Sequence, residues 1–165
     1  MMYRRPAQTL LLAMLCGAGA GAAGAPTLDA HFSCSAPGND GEKLILADNA
    51  EMRLDGKRIE AFRWESDLFR STHGFDCSID QGDGLHAEVG QEGATTRWRI
   101  ALNDPQAARR RRGYDFDRLP QCTIRLERTG ERLDIVPDCP ALCGSRGNFT
   151  RLSVDLKTGN CHYGK

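Results

Sequence analysis

An apolar leader followed by six cysteines is the feature that most restricts how this chain can fold. Residues 1–25 contain two arginines near the start, then an apolar run, and end in a stretch made only of Gly and Ala. These are the three parts of a secretory signal, with cleavage predicted after Ala23 or Ala25. We therefore predict an exported protein, periplasmic or extracellular, in which residues 26–165 form one disulfide-stabilised domain.

The cysteine count predicts three bridges. Of the seven cysteines, Cys16 lies in the leader, which leaves Cys34, Cys77, Cys122, Cys139, Cys143 and Cys161. An even count in an exported chain indicates a disulfide framework, and six cysteines allow 15 pairings. Cys122 and Cys139 flank a predicted hairpin with the two-residue turn Gly130-Glu131, which sets them opposite each other. We predict the pairs Cys122–Cys139, Cys143–Cys161 and Cys34–Cys77.

That hairpin register has one unfavourable consequence. It places Glu127 opposite Asp134, and like charges facing each other across two strands destabilise the pair. A bulge or a longer turn would relieve the repulsion.

A metal site is the alternative use of the last cysteines. Cys139, Cys143, Cys161 and His162 carry three thiolates and an imidazole, a ligand set that zinc accepts. The export signal favours disulfides instead, so we predict no metal and no other cofactor.

Apolar and polar residues alternate along most of the mature chain, which is the pattern of half-buried strands. The runs contain Phe75, Cys77 and Ile79; Leu85, Ala87 and Val89; Trp98, Ile100 and Leu102; Ile124 and Leu126; Leu133 and Ile135; and Leu152, Val154 and Leu156. One helix is predicted from Pro105 to Arg112, and residues 26–42 are predicted to be partly irregular. The fold class is all-β and mainly antiparallel, a small barrel or sandwich with one short helix.

Charge and hydropathy restrict the partners. Removing the leader with its two arginines from the 22 basic residues leaves 20 against 22 acidic ones, a net charge near −2. This balance argues against nucleic-acid binding. The leader's apolar run is too short to cross a bilayer, which takes about 20 apolar residues, and no later segment approaches that length. We predict no transmembrane segment in the mature chain, whose partner is a protein or an envelope component.

Two segments are candidates for partner binding. Arg109, Arg110, Arg111 and Arg112 form the densest charge run, which either docks an anionic surface or is the solvated end of the helix. The other candidate is the loop around residues 66–74. No Gly-x-Ser-x-Gly, His-Glu-x-x-His or phosphate-loop motif is present. We therefore predict a protein that is not an enzyme.

The segment Phe32-Ser33-Cys34 together with residues 67–75 resembles the bacterial envelope inhibitors of C-type lysozyme. These are small exported β-barrels with an early aromatic-x-Cys and a Ser-x-x-Gly-x-aromatic loop. The resemblance implies that Ser71, His73, Gly74 and Phe75 belong to a loop that enters the lysozyme cleft, with Phe75 in place of the usual Tyr.

These observations favour an exported binding protein, and an inhibitor of a glycosidase such as lysozyme is the most concrete form of this hypothesis. The alternatives are a small secreted hydrolase without a local motif, and an envelope assembly or structural factor. An assembly factor would expose a large apolar patch, for which Trp64 and Phe69 are the residues to inspect.

Overall fold

The fold is described from a computed structural model, for residues 24–37, 44–115, 118, 120–144 and 147–164. The leader predicted at residues 1–25 lies outside this part of the chain except for its last two residues. The elements are β1 (Thr27–Pro37), β2 (Ile45–Asp55), β3 (Arg58–Phe69), β4 (Gly74–Asp80), β5 (Leu85–Glu92), β6 (Thr95–Leu102), α1 (Pro105–Arg111), β7 (Thr123–Thr129), β8 (Arg132–Asp138), β9 (Leu152–Asp155) and β10 (Cys161–Tyr163).

The strands form two antiparallel sheets packed as a sandwich. Sheet A has the order β1-β2-β3-β4, and sheet B has the order β10-β9-β8-β7-β6-β5. The chain thus runs up and down through each sheet in turn, and the two sheets do not close into a barrel. The predicted all-β class is confirmed, and the sandwich is the form that it takes.

Strand β1 contradicts the prediction of partly irregular structure at residues 26–42 where the two can be compared, over residues 27–37; residues 38–42 lie outside the described ranges. Thr27–Pro37 pairs with β2 along its whole length, and Leu28, Ala30, Phe32 and Cys34 are buried on one face. The alternation is weak in sequence because two of these four inward side chains are small. The β2 partner, not the strand's own hydrophobicity, defines this element.

The core lies between the sheets and is centred on two fully buried tryptophans. Trp64 belongs to β3 and Trp98 to β6. Trp98 Nε1 donates a hydrogen bond to the carbonyl of Gly56, 3.1 Å away, so the one polar side-chain atom of Trp98 is satisfied in the interior.

Helix α1 ends at Arg111, one residue before its predicted end at Arg112. The Asp104 carboxylate accepts from the Ala107 amide at its start, as a helix cap does.

Three disulfides are present, and two differ from the predicted pairs. Cys34 is bonded to Cys161 and Cys77 to Cys143. The predicted Cys34–Cys77 pair is wrong because β2 and β3 separate these cysteines within sheet A. Three strand spacings of about 4.8 Å place them about 14 Å apart, twice the roughly 7 Å that a bridge can span.

The predicted Cys143–Cys161 pair is wrong for a related reason. The chain leaving β8 passes toward sheet A, where Cys143 meets Cys77 on β4. Strand β10 at the far edge of sheet B lies against β1, which brings Cys161 to Cys34. Cys139 is bonded to Cys122, as predicted. The three cysteines of the zinc alternative therefore belong to three separate bridges.

The hairpin β7–β8 keeps the predicted register, with Glu127 facing Asp134. Arginines relieve the repulsion, not a bulge. Glu127 forms ion pairs with Arg97, at 2.8 Å, and with Arg125, at 3.0 Å. Arg132 pairs with Asp134 at 2.8 Å. Each carboxylate thus has its own cation on the exposed face of sheet B.

The Cys77–Cys143 bridge is expected to stabilise more than the Cys122–Cys139 bridge of the β7–β8 hairpin. In the chain-entropy model, closing the 66-residue separation of Cys77–Cys143 contributes about 4 kcal/mol, and the 17-residue separation of Cys122–Cys139 about 3 kcal/mol. Urea unfolding of the Cys77→Ala/Cys143→Ala and Cys122→Ala/Cys139→Ala variants measures both losses. A larger loss from the hairpin variant would contradict this expectation.

Candidate functional site

One row of side chains crosses the buried face of sheet A near the end that carries the β3–β4 turn. Cys34 on β1 faces Asp48 on β2, Asp48 faces Ser66 on β3, and Ser66 faces Cys77 on β4. All four residues are buried. Both ends of this row are bonded to residues beyond sheet A, Cys34 to Cys161 and Cys77 to Cys143. We call these four residues the transverse row.

Asp48 is a buried carboxylate with a partner on each oxygen. Trp64 Nε1 donates to Oδ1 and the Tyr163 hydroxyl donates to Oδ2, each at 2.8 Å. Burial raises the pKa of Asp48, while the hydrogen bonds from Tyr163, Ser66 and Trp64 hold it down in part. Burial and the adjacent carboxylate in turn raise the pKa of Tyr163 well above its usual range. These contacts attach strand β10 to the centre of sheet A.

Ser66 attaches a second segment, the chain between β8 and β9. The amide of Phe149 donates to Ser66 Oγ at 2.8 Å, and Asn148 Nδ2 donates to the carbonyls of Ser66 and Phe75. The Phe149 ring packs edge-on against Trp64 with the centroids 4.9 Å apart. Since the Asn148 amide is buried and donates twice, the Asn148-Phe149-Thr150 sequon is closed to a glycan in the folded protein.

The turn between β3 and β4 brings together the four loop residues singled out in the sequence. Ser71, His73, Gly74 and Phe75 are all exposed. The Arg70 amide donates to the His73 carbonyl at 2.8 Å and closes the turn. The His73 ring stands edge-on to Phe75 with the centroids 5.0 Å apart. We call residues 70–75 the tip.

Large apolar side chains are exposed around the tip. Ile45 is 50% exposed, Phe69 49% and Phe75 40%. Ile45 and Phe69 face each other on the outer side of sheet A, and Phe69 lies opposite Gly74. A Cβ on Gly74 would stand 3.4 Å from the Phe69 ring, an ordinary van der Waals contact, so the ring lies directly beside this turn. Trp64, the other residue to inspect, is fully buried.

Sequence reasoning missed Ile45. Its position in β2 has the parity of the polar outer residues, and only the pairing with Phe69 shows that it extends an apolar surface. An isoleucine at an outward position beside a strand start was the available signal.

Next to the Ile45–Phe69 pair, Asp67 faces Asp76 across β3 and β4. Partial burial and the charges of Asp76 and Glu65 raise the pKa of Asp67.

The arginine run does not form one surface. Arg109 is only 3% exposed, and Arg112 is turned toward the fold, where it donates to both Asp83 carboxylate oxygens and to the Ser78 carbonyl. Residues three apart share one side of a helix, which accounts for the inward pair. A partner can reach Arg110 and Arg111, while docking by all four arginines stays a prediction.

Histidines also lie in surface grooves. His162 lines a groove of about 530 Å3 on the outer face of sheet B, where the cross-strand order is Asp134, Ser153, His162. A serine nucleophile requires the histidine between the serine and the acid, so this order does not supply a catalytic triad. His86 Nδ1 contacts Asn103 Oδ1 at 2.5 Å.

Comparison of the chain with models of protein families, with curated proteins and with solved structures found no match. Among the described residues, no helix is long and apolar enough to cross a membrane. In the same ranges, no three His, Cys, Asp or Glu side chains are grouped so as to hold a metal ion.

The buried carboxylate predicts a specific pH dependence. Because burial raises the pKa of Asp48 above its ordinary 3.8, the folded protein takes up this proton before the unfolded chain does. Wild-type stability relative to Asp48→Asn should therefore rise as the pH falls from 7 toward 4. Urea unfolding of both proteins across this range measures the difference. A difference that stays constant, or that shrinks on acidification, would contradict the assignment.

The two sides of the arginine run predict different costs. Asp83 is nearly buried, and although burial alone would raise its pKa, the hydrogen bonds from Arg112 and from the Asp80 amide lower it overall. Arg112→Ala removes the two shortest hydrogen bonds to this carboxylate, leaves it only the Asp80 amide and Arg111, and should destabilise by about 1–3 kcal/mol. Arg110→Ala removes a side chain that is exposed to solvent, and it should lower the free energy of unfolding by less than about 0.5 kcal/mol. Thermal and urea unfolding compare the two, and equal losses would refute the distinction.

Proposed function

We propose that this is an exported, non-enzymatic binding protein that docks a partner protein through the tip. The observation that carries the proposal is the exposure of Phe75 in the tip and of Phe69 beside it, next to the polar residues Ser71 and His73, which also face solvent. A contact surface of aromatic anchors bordered by polar groups is typical of protein recognition sites. The leader and three disulfides support an exported protein.

The tip is braced from below, which favours tight binding. Cys77, two residues after Phe75, is bonded to Cys143, and Asn148 holds the Phe75 carbonyl at 3.2 Å. A turn that is already ordered loses little conformational entropy when a partner binds. The scaffold therefore presents the tip in one shape instead of folding it at the moment of binding.

A glycosidase cleft is the partner that the tip suits. Such a cleft is lined by two catalytic carboxyl groups that flank the scissile bond. Ser71 and His73 supply an exposed hydroxyl and an exposed imidazole in the turn, both able to donate hydrogen bonds to carboxylates. The resemblance of residues 67–75 to the lysozyme inhibitors points to the same class.

Inhibition of a C-type lysozyme tests this assignment. The oxidised protein should inhibit cell-wall hydrolysis, and Ser71→Ala/His73→Ala should weaken inhibition at least tenfold, equivalent to about 1.4 kcal/mol. Glu131→Ala, in the turn of the β7–β8 hairpin, serves as the matched control and should leave inhibition unchanged. Thermal unfolding verifies that each variant is folded. Absence of inhibition by the wild-type protein, or equal inhibition by both variants, would refute the glycosidase target.

An envelope assembly factor is the second candidate, favoured by the outward pair Ile45 and Phe69. Exposed apolar pairs of this kind occur where a lasting partner covers them. In cells, photo-cross-linking from a photoreactive phenylalanine analogue at position 69 would then capture one stable partner, and Ile45→Ser would abolish capture while Ser71→Ala/His73→Ala would not. The inhibitor hypothesis predicts the opposite response of the two variants.

A further inference from the structure

One of the three disulfides differs from the others in its surroundings. Cys77, Cys143, Cys122 and Cys139 are all buried, and Cys34 is buried as well. Cys161 is partly exposed and lies on β10, a strand of three residues that pairs with β9 at the edge of sheet B. The rate of thiol–disulfide exchange depends on access to a sulfur, so the bridge Cys34–Cys161 is the one that an external thiol reaches most readily.

This bridge and one hydrogen bond hold the same element. The Tyr163 hydroxyl, two residues after Cys161, donates to the buried Asp48 carboxylate at 2.8 Å. Cys34 is the cross-strand neighbour of Asp48, so both attachments of β10 meet sheet A at adjacent positions of the transverse row. Beyond them, β10 is held by three pairs to β9 and by the Gly164 amide, which donates to the Arg151 carbonyl at 2.8 Å.

We propose that Cys34–Cys161 is a redox-sensitive latch, which a dithiol reductant opens while the other two bridges stay closed. A thiolate of the dithiol attacks Cys161 Sγ, the Cys34–Cys161 bond breaks, and Cys34 leaves as a thiolate that takes up a proton. The second thiol of the reductant then attacks the mixed disulfide and releases Cys161. The protein gains two thiols, and the reductant becomes a cyclic disulfide.

Opening the latch changes the end of the sandwich. Without the bridge, β10 is held by three residue pairs, the Tyr163–Asp48 hydrogen bond and the Gly164 amide, and a short terminal segment held only by such non-covalent contacts frays. Tyr163 then withdraws from Asp48, and water reaches a carboxylate that is 1% exposed in the closed form. The tip stays braced, since Cys77–Cys143 and the contacts of Asn148 belong to the other end of the transverse row. The latch therefore responds to the redox state independently of the proposed binding function.

Graded reduction of the folded wild-type protein tests the latch. The protein is incubated with rising dithiothreitol in native buffer, quenched by alkylation and mapped by mass spectrometry. Cys34 and Cys161 should be alkylated at least roughly tenfold faster than the other four cysteines. Amide hydrogen exchange should then increase in residues 161–163 and stay unchanged in β7 and β8. Earlier or simultaneous alkylation of another pair, or unchanged exchange in β10 after selective reduction, would overturn the proposal.

Two variants provide the matched comparison. Cys34→Ser/Cys161→Ser should show fast exchange in residues 161–163 without any reductant, while Cys122→Ser/Cys139→Ser should keep β10 as protected as in the wild type. Equal protection of β10 in both variants would overturn the latch. The wild-type kinetics decide the question by themselves if either variant does not fold.

Discussion

The transverse row is the interaction on which the rest of the structure depends. A carboxylate buried like that of Asp48 is strongly destabilising unless both of its oxygens are satisfied, and the satisfying donors come from Trp64 in sheet A and Tyr163 in sheet B. The Cys34–Cys161 bond at one end of the row holds strand β10, which carries Tyr163. Disulfides and hydrogen bonds act on the same residues, so the sandwich has one arrangement in which both Asp48 oxygens and the Ser66 hydroxyl have partners.

This row also determines where a binding surface can be rigid. Strands β3 and β4 continue past it by only a few residues before they turn at the tip, so the turn has little free length in which to move. The segment between β8 and β9 adds a second support through Asn148 and Phe149. Exposed aromatic residues on such a short, supported turn are already in position before a partner binds. They therefore lose less conformational entropy on binding than apolar residues on a long loop.

Local patterns in the sequence were sufficient for strands β4 to β9, for the helix and for one bridge, but not for β1, β2, β3 and β10. The alternation of apolar residues located most strands, and the two-residue turn fixed the register that brings Cys122 to Cys139. The other two bridges depend on the order of strands within a sheet, which no local pattern records. Small inward residues hid β1, and the inward turn of Arg109 and Arg112 depends on Asp83 and on packing that comes from distant parts of the chain. The tip residues were found from a resemblance, while Ile45 required knowledge of its neighbour across the strand.

The connectivity of the disulfides is the most direct test that two covalent bonds close the transverse row. The protein is digested under acidic, non-reducing conditions that prevent exchange, and the linked peptides are identified by mass. We predict peptides that join Cys34 to Cys161, Cys77 to Cys143 and Cys122 to Cys139. A peptide that joins Cys34 to Cys77 or Cys143 to Cys161, or free thiols at these positions, would contradict the account.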